Sequence, residues 1–182
     1  TQNLSGLVVG NYSVTITDSK NCTTTNSVTI TQPSVLSSSI SYSNPNCFGG
    51  TGSITLTPSG GTTPYTYLWS NGSTSQNLTG LSSGNYSVTI TDNKGCNTTN
   101  STTISVPTQL TSSLNSTNVS CNGGNNGSIT LSVNGGTPNY TYLWSNGLTT
   151  QNLSSLVNGT YSVTITDNKG CTTTNSVTIT QP

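Results

Sequence analysis

The sequence GNYSVTITDNKGCNTTNSTTISVP, residues 84–107, opens with apolar and polar side chains in regular alternation. Tyr86, Val88 and Ile90 fall on one face of an extended chain, and the Ser and Thr residues between them fall on the other. Side chains of a β-strand alternate between its two faces with this period of two. The stretch therefore predicts a strand that buries one face and leaves the other in water.

Near-copies of this stretch return at residues 10–33 and 159–182, and each copy ends at a proline. We therefore expect a tandem array: residues 1–33 are the C-terminal half of a truncated unit, residues 34–107 a second unit and residues 108–182 a third. The first unit lacks its front half and the chain has no initiator methionine. We therefore expect a piece of a longer protein whose targeting signals lie elsewhere.

The composition is that of strands and turns. The chain has no Ala, Met, Arg, His or Glu, which removes most good helix formers, and it contains 19 Gly and 7 Pro. No run of 18 apolar residues is present, so we expect no direct membrane insertion. Charged residues make up 3% of the chain and the net charge is zero, which predicts no surface for nucleic acid.

The same alternation predicts about six short strands in each complete unit. Two sheets packed face to face are the usual closure for such strands. We therefore predict an all-β fold of tandem immunoglobulin-like β-sandwich repeats, about 75 residues each and arranged end to end. The Asn71-Gly72 dipeptide is typical of a hairpin turn after the third strand. The strands predicted in the second unit are 35–42, 52–58, 65–70, 74–79, 85–92 and 100–106.

Five cysteines follow the repeat, with two in each complete unit and one in the partial unit. We predict one disulfide per unit, Cys47–Cys96 and Cys121–Cys171, and leave Cys22 unpaired because the front half of its unit is missing. Four predicted strands separate Cys47 from Cys96, and an even number of strands returns the chain to the same end of a sandwich. The absence of His and of a CxxC motif disfavours zinc. Disulfides predict an oxidising, extracytoplasmic setting.

Two sets of aromatic residues also follow the repeat. Tyr12, Tyr86 and Tyr161 resemble the tyrosine corner of immunoglobulin-like domains, in which the hydroxyl bonds a nearby backbone group at the start of a strand. The second set alternates along the third strand of each complete unit. Its rings either fill the core or form a platform on which sugars stack. The members of this set are Tyr65, Tyr67, Trp69, Tyr140, Tyr142 and Trp144.

Two loop motifs could suggest a ligand but have simpler explanations. The glycine clusters at residues 49–52 and 123–127 lack the helix and the lysine of a phosphate-binding loop, so we expect plain turns. Residues 92–95, Asp-Asn-Lys-Gly, suit a β-turn, with weak calcium contact as the alternative. Because no His or Glu is present to activate a serine, we expect no enzyme, no cofactor and no dedicated metal site.

Two prolines stand between the units. Pro33 and Pro107 lie in the glycine-free stretches TITQPSVLSS and TISVPTQLTS. Proline fixes its own φ and pushes the residue before it towards an extended conformation. Such joints should bend less than a Gly/Ser linker.

The segments 47–96 and 121–171, with CFGGTGSITL, YTYLWSNG and DNKGC in the first of them, resemble the SprB repeat. This repeat occurs in very large cell-surface adhesins of gliding bacteria. The resemblance implies secretion by the type IX route, display outside the outer membrane and a filament that moves during gliding. It also implies contacts with neighbouring repeats, surface polysaccharide or other filament subunits. We therefore predict a stalk segment that spaces an adhesive tip from the cell, with a carbohydrate-binding module using the aromatic row as the alternative.

Overall fold

The computed structural model describes residues 3–182, and this part of the chain is all β, with fourteen strands and no helix. It accordingly contains no helix that could cross a membrane. The strands are β1 Gly10–Thr17, β2 Thr23–Ile30, β3 Ser37–Ser43, β4 Gly52–Ser59, β5 Thr66–Trp69, β6 Leu78–Leu81, β7 Gly84–Thr91, β8 Asn97–Ile104, β9 Thr111–Thr117, β10 Gly127–Asn134, β11 Thr141–Trp144, β12 Leu153–Leu156, β13 Gly159–Thr166 and β14 Thr172–Ile179.

The second and third units each consist of two three-stranded antiparallel sheets. In the second unit β3-β4-β6 faces β5-β7-β8, and in the third unit β9-β10-β12 faces β11-β13-β14. The alternating apolar side chains meet between the sheets, where Leu56 and Ile90 are fully buried in one unit and Leu131 and Ile165 in the other. Each unit therefore has a hydrophobic core of its own.

The partial unit contributes a two-stranded hairpin, β1-β2. It corresponds to β7-β8 and β13-β14, but no second sheet packs on it within the described residues. Val14 and Ile16 consequently remain 55% and 60% exposed. This hairpin shows what the repeated sequence forms when the other half of the sandwich is absent.

Strands β5 and β6 lie in different sheets and together make one passage of the chain. Strand β5 runs antiparallel to β7 and ends at Trp69, opposite the middle of β7. Strand β6 continues in the same direction as β5, but in the other sheet, and ends at Leu81, opposite Gly52 at the start of β4. The turn that contains Gly72 does form, with the Gly72 N–H bonded to the Trp69 carbonyl at 2.9 Å. The Trp69 N–H also donates to the Ser73 carbonyl at 2.9 Å, but the pairing ends there. The predicted hairpin of two strands is therefore wrong, because the chain changes sheet after the turn.

This passage places the two cysteines of a unit at opposite ends of its sandwich. We call the end with residues 60–62 and 92–96 the upper pole of the second unit, and the end with residues 44–50 and 105 its lower pole. Between Cys47 and Cys96 the chain runs up β4, down β5 and β6 and up β7. Three passages separate the two cysteines instead of the four that we counted from the sequence.

The predicted pairs Cys47–Cys96 and Cys121–Cys171 are therefore wrong, because an odd number of passages separates the members of each pair. The structure instead bonds Cys47 to Cys171, 124 residues further along, with their Cα atoms 5.6 Å apart. The other three cysteines, Cys22, Cys96 and Cys121, are exposed thiols. The disulfide thus connects two units instead of closing one.

Candidate functional site: the joint between the second and third units

The lower pole of the second unit adjoins the upper pole of the third. At the lower pole the N–H of Ser105 donates to Asn44 Oδ1 at 3.0 Å. Two residues later the chain passes Pro107, and the Thr108 carbonyl then accepts the N–H of Gly136 at 2.9 Å, at the upper pole of the third unit. The two units therefore meet pole to pole across a joint of a few residues.

The disulfide crosses this joint. Cys47 belongs to the loop that precedes β4 at the lower pole of the second unit, and Cys171 precedes β14 at the upper pole of the third. The Cys171 sulfur also lies 3.3 Å from the Asn46 carbonyl oxygen, a contact without a hydrogen bond because the bonded sulfur carries no proton. A peptide link and a disulfide link thus hold the same two poles together.

A cleft of about 370 Å³ lies between the two links. It carries Phe48 on one side, half exposed at 56%, and the chain from Pro107 to Leu110 on the other. Because the cleft is formed by both poles, any change in the angle between the units would reshape it. Its lining residues are Cys47, Phe48, Pro107, Thr108, Gln109, Leu110, Gly136, Asp167, Gly170, Cys171, Thr172 and Thr173.

Asp167 organises the turn that presents Cys171. Its Oδ1 accepts the N–H groups of Lys169 and Cys171 at 2.8 and 2.9 Å, and its Oδ2 accepts the N–H of Thr137 at 2.8 Å. The Gly170 N–H closes the predicted β-turn on the Asp167 carbonyl at 3.0 Å. The Thr137 N–H above all, with the other N–H donors, lowers the pKa of Asp167 against the opposing effect of burial.

Asp92 makes the equivalent contacts in the second unit. Burial alone would raise its pKa, but N–H donors from Thr62, Cys96 and Lys94 together outweigh burial, so the pKa of Asp92 is lowered. These carboxylate oxygens already accept backbone protons. Within residues 3–182 no cluster of three potential metal-ligating residues occurs. The contacts favour the turn that we predicted over the calcium alternative.

Gly136 lies against the Asp167 carboxylate, and there is no room for a side chain at this position. Its φ is +62°, and a Cβ there would lie 2.8 Å from Asp167 Oδ2. A larger residue would meet both left-handed backbone strain and the carboxylate. The upper pole is therefore built around a glycine and an aspartate that were not connected by any pattern in the sequence.

The three tyrosines of the predicted corner make the same contact in every copy. Each hydroxyl donates to the carbonyl four residues earlier, which is Val8 for Tyr12 and Ser82 for Tyr86, both at 3.0 Å. Tyr161 bonds Val157 at 3.1 Å. The hydrogen bond is local in the chain, so it forms even in the partial unit.

The aromatic row lies in and against the cores. Trp69 and Trp144 are each 2% exposed, and their Nε1–H groups donate to the carbonyls of Ser75 and Thr150 at 2.8 Å. The four tyrosines are half buried against the same two clusters. Tyr65 and Tyr140 donate to the carbonyls of Gly60 and Gly135, and Tyr67 and Tyr142 pack beside them.

Amide side chains that we did not single out complete a strand edge and bridge the two sheets. Asn77 Oδ1 accepts the Leu56 N–H at 3.0 Å and Gln76 Nε2 donates to the Leu56 carbonyl at 2.8 Å, so this pair completes the edge of β4. Asn100 Nδ2 bridges from β8 to the Ser38 carbonyl at 3.1 Å. The tripeptides QNL and TTN recur in each copy, and this recurrence could have pointed to these amide side chains. The third unit has equivalent contacts at Gln151, Asn152 and Asn175.

The repeat matches a known protein family at two places. Residues 39–74 and 113–149 match the family described as SprB repeat. Each of the two complete units thus contains one segment that matches the SprB repeat. The family resemblance stated from the sequence is therefore confirmed. A search of the curated proteins found no match.

Among solved structures, the chain is similar to the crystal structure of Down syndrome cell adhesion molecule (DSCAM) isoform 1.30.30, N-terminal eight Ig domains. The TM-score is 0.52 at 11% identity, over 94% of this chain and 28% of that one. The chain thus spans less than a third of that structure. A structure described as the basis for Dscam isoform specificity gives 0.35 at 15% identity, over 80% and 47%. The amphioxus IgVJ-C2 molecule gives 0.34 at 18%, over 79% and 96%.

The first of these likenesses shows the fold, so the predicted all-β, immunoglobulin-like architecture is confirmed. SprB repeats on such a framework support an adhesin-type repeat domain of the cell surface. Domains of this kind are typically structural.

Proposed function

We propose that this chain is a stalk segment of a very large secreted adhesin, in which SprB repeats space an adhesive tip from the cell. The parent protein would be exported by the type IX route and displayed by a gliding bacterium. Neighbouring repeats of the same chain are its principal partners, with surface polysaccharide or other filament subunits as further contacts.

The pole-to-pole joint is the observation that best supports this proposal. Each complete unit has its own core, so it can transmit load without help from the next. The joint has two covalent links, one through Pro107 and one through Cys47 and Cys171, which restrict bending more than a single flexible linker would. A series of self-contained units with restrained joints suits a spacer.

The outward surfaces also suit a solvated stalk. Hydroxyl and amide side chains bond to one another across neighbouring strands, as in the pairs Ser43–Ser53 at 2.8 Å and Thr160–Thr178 at 3.0 Å. Such pairs cover the strands with polar groups that carry no charge. The tryptophans of the aromatic row are buried, so they do not supply the flat, open platform on which a sugar would stack.

Small-angle X-ray scattering of the oxidised chain tests the stalk directly. Strands of eight residues span roughly 26 Å, so with loops each complete unit should extend roughly 35–40 Å along the axis. We expect a pair-distance distribution with two maxima, as for two units in line. A single maximum from units packed side by side would refute the spacer. Variant Cys171→Ser, which keeps both cores but loses one link, is the matched control.

A second experiment tests the location. Antibodies against this chain should label intact producing cells, and external protease should remove that label. Labelling only after the cells are permeabilised would contradict display on the surface.

A further inference from the structure

The five cysteines fall into two structural sets. In the front set, Cys47 and Cys121 each open a turn in which the cysteine carbonyl accepts the N–H of a glycine three residues later, at 3.0 Å in both copies. In the back set, Cys22, Cys96 and Cys171 each donate their N–H to the Oδ1 of the aspartate four residues earlier, at 2.8–2.9 Å. Within each set the backbone presents the sulfur in the same way.

The disulfide joins one member of each set across a joint. Front cysteines lie at lower poles and back cysteines at upper poles, so the partner within reach of a front cysteine belongs to the next unit. Cys47 and Cys171 satisfy this geometry. Cys121 at the lower pole of the third unit and Cys96 at the upper pole of the second are exposed and unbonded in the part of the chain described.

We propose that Cys96 and Cys121 are inter-repeat disulfide sites: Cys121 bonds the back cysteine of a following SprB repeat, and Cys96 the front cysteine of a preceding one. Every joint of a longer array would then carry a disulfide beside its peptide link. The loops closed by successive bonds overlap, because Cys121 lies inside the loop from Cys47 to Cys171. Neighbouring joints are thereby covalently interlocked.

The acceptor surface around Cys96 repeats the one around Cys171. At the occupied joint, Asp167 and Gly136 form the upper pole under the Cys47 loop. In the second unit Asp92 and Gly61 have the same arrangement, and a Cβ on Gly61 would likewise lie 2.8 Å from the carboxylate. Beside them Val35 is 86% exposed, an apolar side chain that a docked front loop would cover.

The bond forms by thiol–disulfide exchange. A small-molecule disulfide such as oxidised glutathione is attacked by one cysteine thiolate, and the mixed disulfide is then attacked by the other. The two protein thiols lose two protons and two electrons. The small-molecule disulfide takes up both and leaves as two thiols.

An extended chain tests the proposal. Residues 34–182 are appended after Pro182, which recreates a native joint because residues 28–33 and 177–182 have the same sequence, VTITQP. Cys22→Ser, Cys96→Ser in the first copy and Cys121→Ser in the second leave one Cys121 and one Cys96, on the two sides of the new joint. The protein is equilibrated in a glutathione buffer, its monomer is isolated, and chymotryptic peptides are mapped without reduction.

We expect Cys121 of the first copy bonded to Cys96 of the second as the main product. Cys121 bonded to Cys171, or Cys121 and Cys96 both recovered as thiols from folded monomer, would overturn the proposal. Circular dichroism and burial of the tryptophans establish that the monomer is folded.

A second variant tests the same geometry without extension. Cys171→Ser removes the partner of Cys47 and leaves Cys96 as the other cysteine of its unit. Because the two lie at opposite poles, we expect Cys47 to stay a thiol. A Cys47–Cys96 bond in this folded variant would overturn the proposal as well.

Discussion

The hairpin β1-β2 and the hairpin β13-β14 have almost the same sequence and very different surroundings. Their strands differ at one position, Asn11 against Thr160, and their registers are equivalent from Gly10 opposite Ile30 to Gly159 opposite Ile179. Yet Ile16 is 60% exposed, whereas Ile165 is fully buried. The strand sequence therefore determines the pairing, and the facing sheet determines the burial.

Amide hydrogen exchange should show the largest difference between these hairpins. Amides of β13-β14 are released by unfolding of a complete unit, whereas an isolated two-stranded hairpin is marginal in water. With about 5 kcal/mol for a small domain, we expect exchange in β1-β2 to be roughly 10³-fold faster or more. Equal protection would mean that the face of β1-β2 is covered in solution.

Matched core truncations give the next largest effect. Ile165→Ala should lower the free energy of unfolding of the third unit by about 2–5 kcal/mol, because it leaves a cavity in a closed core. Ile16→Ala, at the equivalent exposed position of the partial unit, should change the free energy of unfolding of the third unit by less than about 0.5 kcal/mol. Urea denaturation followed by Trp144 fluorescence, with Trp69→Phe in both proteins, measures the two. Similar losses from both variants would contradict the contrast in burial.

The asparagine that bridges the sheets offers a smaller contrast. Asn175 Nδ2 donates to the Ser112 carbonyl at 3.1 Å and to Ser112 Oγ at 3.3 Å. Removing such bonds by Asn175→Ala should cost about 1–2 kcal/mol. Asn26, its counterpart in β2, faces no second sheet within residues 3–182, so Asn26→Ala should leave the third unit unchanged. The same denaturation curves serve, and an equal cost would argue against the bridge.

The stability of the third unit should depend on acid by a smaller amount still, through the turn that Asp167 organises. The pKa of Asp167 is lower in the folded unit than in the unfolded chain, where it is about 3.9. Its contribution is therefore complete above about pH 5 and is lost as the pH falls through the folded value. Asp167→Asn should flatten the dependence of the third unit's urea midpoint between pH 6 and pH 2. An unchanged slope in Asp167→Asn would exclude this source.

Much of the local structure could be predicted from particular residues. The alternation at Tyr86, Val88 and Ile90 predicted β7, and the recurrence of the same pattern predicted its two copies. The tyrosine corner and the β-turn at Asp92 depend on contacts within four residues, so short patterns were sufficient. The amide contacts were not predicted, because Gln76 and Asn77 bond to a strand about twenty residues earlier.

The repeat, most of the strands and the resemblance to SprB repeats could be predicted from the sequence, because each depends on neighbours in the chain or on a pattern that recurs. The pairing of the cysteines could not be predicted in this way, because it depends on how the sheets are arranged. The turn after Trp69 moves the chain from one sheet to the other, so β5 and β6 make one passage and the cysteines of a unit lie at opposite poles. No local pattern shows whether a turn returns its strand to the same sheet. That choice is made by the packing of the two sheets, and it sends Cys47 to the next unit.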